Sequence, residues 1–225
     1  MTSSETLAPL GDDLFARAGL EQQLQIGPQA WLLRGLALAH EAELLADLAT
    51  VLQQAPLRHM VTRGGRRMSV QTSSCGAWGW TSSPNGYAYS AVDPQSGLPW
   101  PAMPDSMRQL GTMAAQAAGF AGFAPDSCLI NQYLPESKMG LHQDRDESDF
   151  TQPIVSVSLG MSALFMWGGL ARSDKVQTVH LHHGDVVVWG GQDRLRFHGV
   201  RRLLGPAHPQ LGPRRINLTL RRARG

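Results

Sequence analysis

The stretch Arg215-Ile216-Asn217-Leu218-Thr219-Leu220-Arg221 alternates without a break. In a β-strand successive side chains leave opposite faces, so Arg215, Asn217, Thr219 and Arg221 share one face and Ile216, Leu218 and Leu220 the other. Further short apolar or β-branched runs precede it: Cys128–Tyr133, Ile154–Leu159, Ala163–Trp167, Val176–Leu181 and Val186–Trp189. Glycines and prolines punctuate them at intervals of roughly ten residues, which suits an antiparallel sandwich or barrel rather than alternating βαβ units. Two helices are expected ahead of the strands. One spans 36–54, with Leu38, Leu44, Leu45, Leu48 and Leu52 at helical spacing and Pro56 closing it; the other spans 104–118, opened by Pro104-Asp105-Ser106 and ended by Gly119. Helices first and strands afterwards give an α+β, mainly β fold, and no linker or repeat divides the chain into more than one domain.

Composition excludes several classes. The 225 residues are 42% hydrophobic and 17% charged, with 24 glycines and 14 prolines, too apolar for disorder and too irregular for a coiled coil. No apolar run is long enough to span a bilayer, and the start of the chain lacks the basic-then-apolar pattern of a signal peptide. Two cysteines, Cys75 and Cys128, make no disulfide framework, so a cytoplasmic location is expected. The net charge of +2 conceals a gradient: residues 1–57 hold two arginines against seven acids, and residues 199–225 hold seven arginines and no acid. An anionic partner and a solvated basic tail explain this equally well.

Residues 58–101 are unusual. Arg58, Arg63, Arg66 and Arg67 come with no acid between them, and an uncharged stretch holding Trp78, Trp80, Tyr87 and Tyr89 follows, then Pro99-Trp100-Pro101. Bases interleaved with aromatics suit a surface that grips phosphates and stacks nucleobases. A hairpin cover packing its aromatics on the core would read the same way.

Leu141-His142-Gln143-Asp144 carries the first chemistry. Residues i and i+2 of an extended segment share a side, so His142 and Asp144 can reach one ion, and His198 offers a third ligand. Two histidines and a carboxylate on one face of an octahedral ion leave three positions open, as non-haem Fe(II) oxygenases require. His180, His182 and His183 are a denser cluster, but no carboxylate is placed to join them before Gly184-Asp185 turns the chain, so surface or half-buried histidines are expected there. The polar face of 215–221 would arise in a solvent-facing strand. It could equally line a dicarboxylate pocket through bidentate arginine bonds, with Asn131 and Tyr133 repeating the spacing from another strand.

Across 56–222, the blocks MSVQTSSCGAWGW, YSAVDPQSGLPWPAMP, AGFAPDSCLINQY, LHQDRDE, PIVSVSLG, GDVVVWGG and NLTLR together resemble the AlkB family of Fe(II)/2-oxoglutarate-dependent nucleic-acid repair dioxygenases. The resemblance implies a double-stranded β-helix (jelly roll) with supporting helices. It divides the single domain into an N-terminal extension and helix (1–56), a nucleotide-recognition lid (57–101) and a helix plus jelly-roll core (102–225). It makes His142, Asp144 and His198 the Fe(II) ligands, and Asn131, Tyr133, Arg215, Asn217 and Arg221 the residues that bind 2-oxoglutarate, with Arg221 also orienting Asp144. Met68, Ser69, Trp80, Tyr87, Asp146 and Arg172 match positions that handle the damaged base and its phosphates. Ile216, Arg196 and Thr72 depart from the family pattern.

The implied reaction consumes O2 and 2-oxoglutarate. It hydroxylates the alkyl group of bases such as 1-methyladenine and 3-methylcytosine in single- or double-stranded DNA, or in RNA, releasing formaldehyde and succinate. The protein is expected to act as a monomer without a membrane. A 2-oxoglutarate hydroxylase of RNA, protein or a small molecule is the nearest alternative, and a non-catalytic jelly-roll metal or nucleic-acid binding protein the next.

Overall fold

A computed structural model describes residues 23–224. Residues 1–22, the greater part of the expected N-terminal extension, lie outside the described residues. Fourteen strands and two α-helices are present among the described residues. Eight strands form a major sheet in the order β1 (Gln23–Gly27), β2 (Ala30–Leu33), β12 (Val186–Trp189), β9 (Ile154–Gly160), β14 (Arg215–Arg221), β7 (Ser127–Tyr133), β4 (Arg67–Gly76) and β3 (Arg58–Val61). Four form a minor sheet in the order β11 (Gln177–Leu181), β10 (Ala163–Trp167), β13 (His198–Val200) and β8 (Met139–His142). β5 (Gly79–Ser83) and β6 (Gly86–Ser90) pair as a separate hairpin. The crossovers between the two larger sheets, and their antiparallel ladders, are those of a jelly roll.

Alternation along the major sheet builds two cores. Ile216, Leu218 and Leu220 of β14 join Val155, Val157 and Leu159 of β9 against the helices, while Ile154, Val187 and Trp189 face the minor sheet with Phe165, Trp167 and Val179. Helix α1 (Glu41–Gln54) buries Leu44, Leu48 and Val51, one stripe at helical spacing, and stops before Pro56. Helix α2 (Asp105–Ala117) buries Met107, Leu110, Ala114 and Ala115. It comes close to the sheet at Gly111, where an added Cβ would lie 3.0 Å from Leu220 Cδ2.

Elements read as strands and helices in the sequence recur with shifts of one or two residues at their ends, except at the start of α1. Leu36–Ala37 lie in a turn and Leu38–His40 form a single 3₁₀ turn, with Leu38 half exposed, and the non-helical backbone of His40 (φ −111°, ψ 4°) separates that turn from α1. The expected extension also corrects to a β1–β2 hairpin over residues 23–33, whose second strand pairs with β12 and extends the major sheet.

Every residue of β14 is buried, so its polar face lies inside the molecule and not in solvent. Gly160 sits opposite Arg215 on β9 with φ of 92°, and a Cβ there would lie 2.4 Å from the Arg214 carbonyl oxygen. Gly160→Ala is expected to destabilise the fold by about 2 kcal/mol and to lower Tm by roughly 4–8 °C, measurable by calorimetry.

Candidate functional site

The minor sheet brings the two histidines together by register: His198 on β13 is the direct partner of His142 on β8. Asp144 follows two residues on, with Oδ1 3.6 Å from His142 Nε2 and Oδ2 3.8 Å from His198 Nε2. One ligand atom from each residue lies within 4.8 Å of the other two, the one such group among the described residues. Both rings are held alike. His142 Nδ1 is 2.9 Å from the Gly140 carbonyl and His198 Nδ1 is 3.0 Å from the Arg196 carbonyl. A carbonyl only accepts, so each Nδ1 carries the proton and each Nε2 keeps its lone pair for a metal.

The electrostatics agree. Burial would raise the Asp144 carboxyl, but Arg221 and the two imidazoles outweigh it and hold it well below the usual carboxylate range. Arg221 donates to Asp144 Oδ2 from Nη2 at 2.6 Å and from Nε at 3.1 Å. Burial, reinforced by His142, pulls His198 down to about 4, so its imidazole is neutral at physiological pH.

These residues line a cavity of about 330 Å³. Its inner end holds Asn131, Tyr133, Arg215, Asn217 and Arg221, all on the inner face of β7 and β14. Arg215 is 1% exposed, donates from Nη2 to Ser158 Oγ at 2.9 Å, and lies 5.0 Å over the Tyr133 ring. Its Nε and Nη1, with Arg221 Nη1 and Asn131 Oδ1, are buried without a hydrogen-bond partner. An unmet buried donor costs about 1–3 kcal/mol. Two on one guanidinium fit a carboxylate supplied by a ligand. Asn217 is already committed, donating to Ser156 Oγ and the Val157 carbonyl.

The outer end is formed by Met68, Ser69, Trp80, Tyr87 and Asp146. Trp80 donates from Nε1 to Asp146 Oδ2 at 2.8 Å, and Tyr87 stacks on it with centroids 5.4 Å apart and planes at 24°. Ser69 is occupied by the backbone of Lys138. Arg172 lies outside the cavity lining, donating to the Leu141 carbonyl at 2.8 Å and stacking over Phe197. Arg58 corrects a sequence expectation: it forms a two-bond ion pair with Asp93 and covers the Trp100 ring, so it is a strut and not a phosphate contact.

His180 and His182 are exposed and His183 is half-buried, as read, although a carboxylate does reach the cluster. Glu41, arriving from α1, brings a carboxylate within 3.1 Å of His183 Nε2. His183 Nδ1 accepts from the Gly160 N–H, which puts the ring proton on Nε2, facing the Glu41 carboxylate without a hydrogen bond, so the ring has no lone pair free for a metal. Sequence reasoning missed Tyr89, Glu147 and Arg194, which surround the metal carboxylate. Their partners lie between 47 and 58 residues away, so no local pattern marks them.

Residues 29–221 match the model of the 2OG-Fe(II) oxygenase superfamily. The chain is 50% identical over 211 residues to the alpha-ketoglutarate-dependent dioxygenase AlkB of Salmonella typhimurium, covering 94% of this chain and 97% of that one. It is 42% identical over 108 residues to the DNA N(6)-methyladenine demethylase ALKBH1C of Arabidopsis thaliana, covering 43% and 24%. Among solved structures, OsALKBH1 superposes with a TM-score of 0.77 at 30% identity, over 89% of this chain and 99% of that one.

The His198 shift predicts a pH dependence. The unfolded imidazole protonates near 6.5 and the folded one near 4, so the unfolded state binds more protons between these values. Stability of chelator-treated protein should therefore fall as pH is lowered from 6.5 to about 4, by about 3 kcal/mol in full. Thermal melts across this window should show the decline, and His198→Gln should flatten it.

Proposed function

The chain belongs to the AlkB family of 2OG-Fe(II) oxygenases, and we propose that it removes alkyl groups oxidatively from N-alkylated bases of DNA. It is an Fe(II)/2-oxoglutarate-dependent dioxygenase, and the enzyme uses Fe(II), 2-oxoglutarate and O2. The observation that carries the substrate reading is the layout of one cavity. Unmet guanidinium donors lie at its closed end, the His-Asp-His group is on its wall, and a tryptophan tied to a carboxylate stands at its mouth.

His142, Asp144 and His198 hold the metal, whose Nε2 and carboxylate donors suit Fe(II). With 2-oxoglutarate and O2 the metal supplies the oxidation that hydroxylates a C–H bond, the cosubstrate leaving as succinate and CO2. Arg215 binds the distal carboxylate of the cosubstrate through Nε and Nη1, helped by Tyr133 and Asn131. Arg221 fixes Asp144, and its free Nη1 faces the same cavity. Asn217 braces the floor from its bonds to β9.

A base must leave the stack to reach this depth, at a cost of a few kcal/mol that is least for lesions unable to pair. 1-Methyladenine and 3-methylcytosine meet that condition and are cationic. Trp80, backed by Tyr87, offers a stacking face, and Asp146 beside it attracts the positive ring. Met68 and Ser69 complete the wall, and residues 57–101 serve as the lid. Exposed Arg63 and Arg66 in the turn between β3 and β4, and Arg67 at the start of β4, are the side chains we assign to phosphates, and Arg172, with one Nη on the Leu141 carbonyl, offers them its remaining donors. After hydroxylation of an N-methyl group, the hemiaminal collapses to formaldehyde and the restored base. A cytoplasmic location belongs to the same reading, supported by two buried, unpaired cysteines.

Incubation with Fe(II), 2-oxoglutarate, O2 and an oligonucleotide carrying 3-methylcytosine or 1-methyladenine should yield repaired base and formaldehyde in equal amounts. No repair by protein that binds the metal would refute the substrate reading. Asp144→Ala should abolish repair while the fold persists. Arg215→Ala should raise the KM for 2-oxoglutarate about 100-fold, the loss of two charge-assisted bonds. Trp80→Ala should weaken oligonucleotide binding and leave succinate formation without nucleic acid largely intact; equal loss of both would give Trp80 a folding role.

A further inference from the structure

The β5–β6 hairpin meets the metal loop at two consecutive residues. Trp80 and Tyr89 are cross-strand partners, so their side chains leave the same face of the hairpin. Trp80 donates to Asp146 and Tyr89 donates to Glu147, at 2.8 and 2.7 Å. The first contact borders the open cavity. In the second, Tyr89 and Glu147 are each only 6% exposed.

Glu147 makes further bonds. Its Oε1 also lies 3.3 Å from Arg221 Nε, and its Oε2 accepts from Arg194 Nη2 at 3.0 Å. Both guanidiniums also reach Asp144, Arg221 at the carboxylate and Arg194 at the backbone carbonyl, 2.9 Å away. From Gln143 to Pro153 the chain has neither strand nor helix. Within this loop Asp144 is held by the side chains of Arg221 and Arg194, and Glu147 holds both of them. A buried carboxylate is what two buried guanidiniums need. Without its charge they would share Asp144 alone, and an unmatched buried cation beside the site opposes a divalent ion.

We propose that Glu147 is a positioning residue that sets Asp144 through Arg221 and Arg194 and seats the hairpin over it through Tyr89. The inference rests on the metal assignment in the proposed function and adds residues that contact neither metal ligand atoms nor cosubstrate. One carboxylate thereby fixes both the metal loop and the element that carries Trp80.

The test uses the purified full-length chain, with Mn(II) binding measured without nucleic acid and steady-state kinetics on a methylated oligonucleotide. Glu147→Gln keeps the size and removes the charge; Mn(II) should bind about tenfold more weakly, as when other outer partners of metal ligands are lost. Tyr89→Phe removes only the hydroxyl. Its Mn(II) affinity should stay within about twofold of wild type, while the KM for the oligonucleotide rises about tenfold and kcat is kept. Glu147→Leu leaves the Tyr89 hydroxyl no acceptor and so cuts the bond that Tyr89→Phe cuts; combining these two should raise that KM no further than the larger single effect.

Glu147→Gln with wild-type Mn(II) affinity and only a lower Tm would overturn the inference by reducing Glu147 to a folding role. KM effects that multiply in the double variant would overturn the shared link to Tyr89. A wild-type protein that binds Mn(II) and repairs no oligonucleotide would remove the proposed substrate, with the Mn(II) comparison still deciding the role of Glu147. A protein that binds no Mn(II) would overturn both.

Discussion

Asp144 is a carboxylate 8% exposed, held by Arg221 at 2.6 Å and flanked by two imidazoles. Taking such a charge out of water costs several kcal/mol unless close partners restore what solvation provided. The chain meets that demand with residues from opposite ends of the jelly roll. Arg221 ends β14 in the major sheet, His142 and His198 face each other in the minor sheet, and Arg194 lies between β12 and β13. The packing of the two sheets brings these groups together around one carboxylate. The cavity between them is polar at that point because the carboxylate is there.

Much of this plan could be read from the chain. The strict alternation of 215–221 marked β14 and its two faces, and short apolar or β-branched runs marked the central strands. The ligand trio was read from His142 and Asp144 at i and i+2 of an extended segment, with His198 supplied by family resemblance as much as by pattern, although β8 ends at His142 and Asp144 lies in the loop beyond it. What could not be read was either too short or too distant. β8 and β13 are four and three residues long, too brief for any period to register. The β1–β2 hairpin has a Gly27-Pro28 turn, but its strands are only five and four residues long and β1 is mostly exposed, so no period marks them. Tyr89, Glu147 and Arg194 are individually ordinary; only the fold makes neighbours of them. The choice for 215–221 between a solvent face and a pocket face is a question of what lies opposite, which one strand's sequence does not contain.

The lid shows the same separation between composition and role. Four arginines in an acid-free run read as one basic surface, yet they divide by position. Arg58 is spoken for by Asp93 and Trp100, and the other three are carried on or beside the exposed β3–β4 turn. Trp100 in turn lies against Gly79, where any Cβ would fall 2.2 Å from its ring, and donates to the Ser90 carbonyl across the hairpin. The strand that carries Trp80 is thus backed, at its neighbour Gly79, by a second, buried aromatic.

β14 is buried on both faces, with Ile216, Leu218 and Leu220 in the core beneath the helices and Arg215, Asn217 and Arg221 in the catalytic cavity. Seven consecutive residues therefore answer to two selections at once. Drift that loosens the helix-side packing moves the guanidiniums, and drift that retunes the cosubstrate pocket strains the core. The strand therefore has less room for neutral change than the hairpins and loops at the mouth, and its departure from the family pattern, Ile216, falls on the core side and not in the pocket.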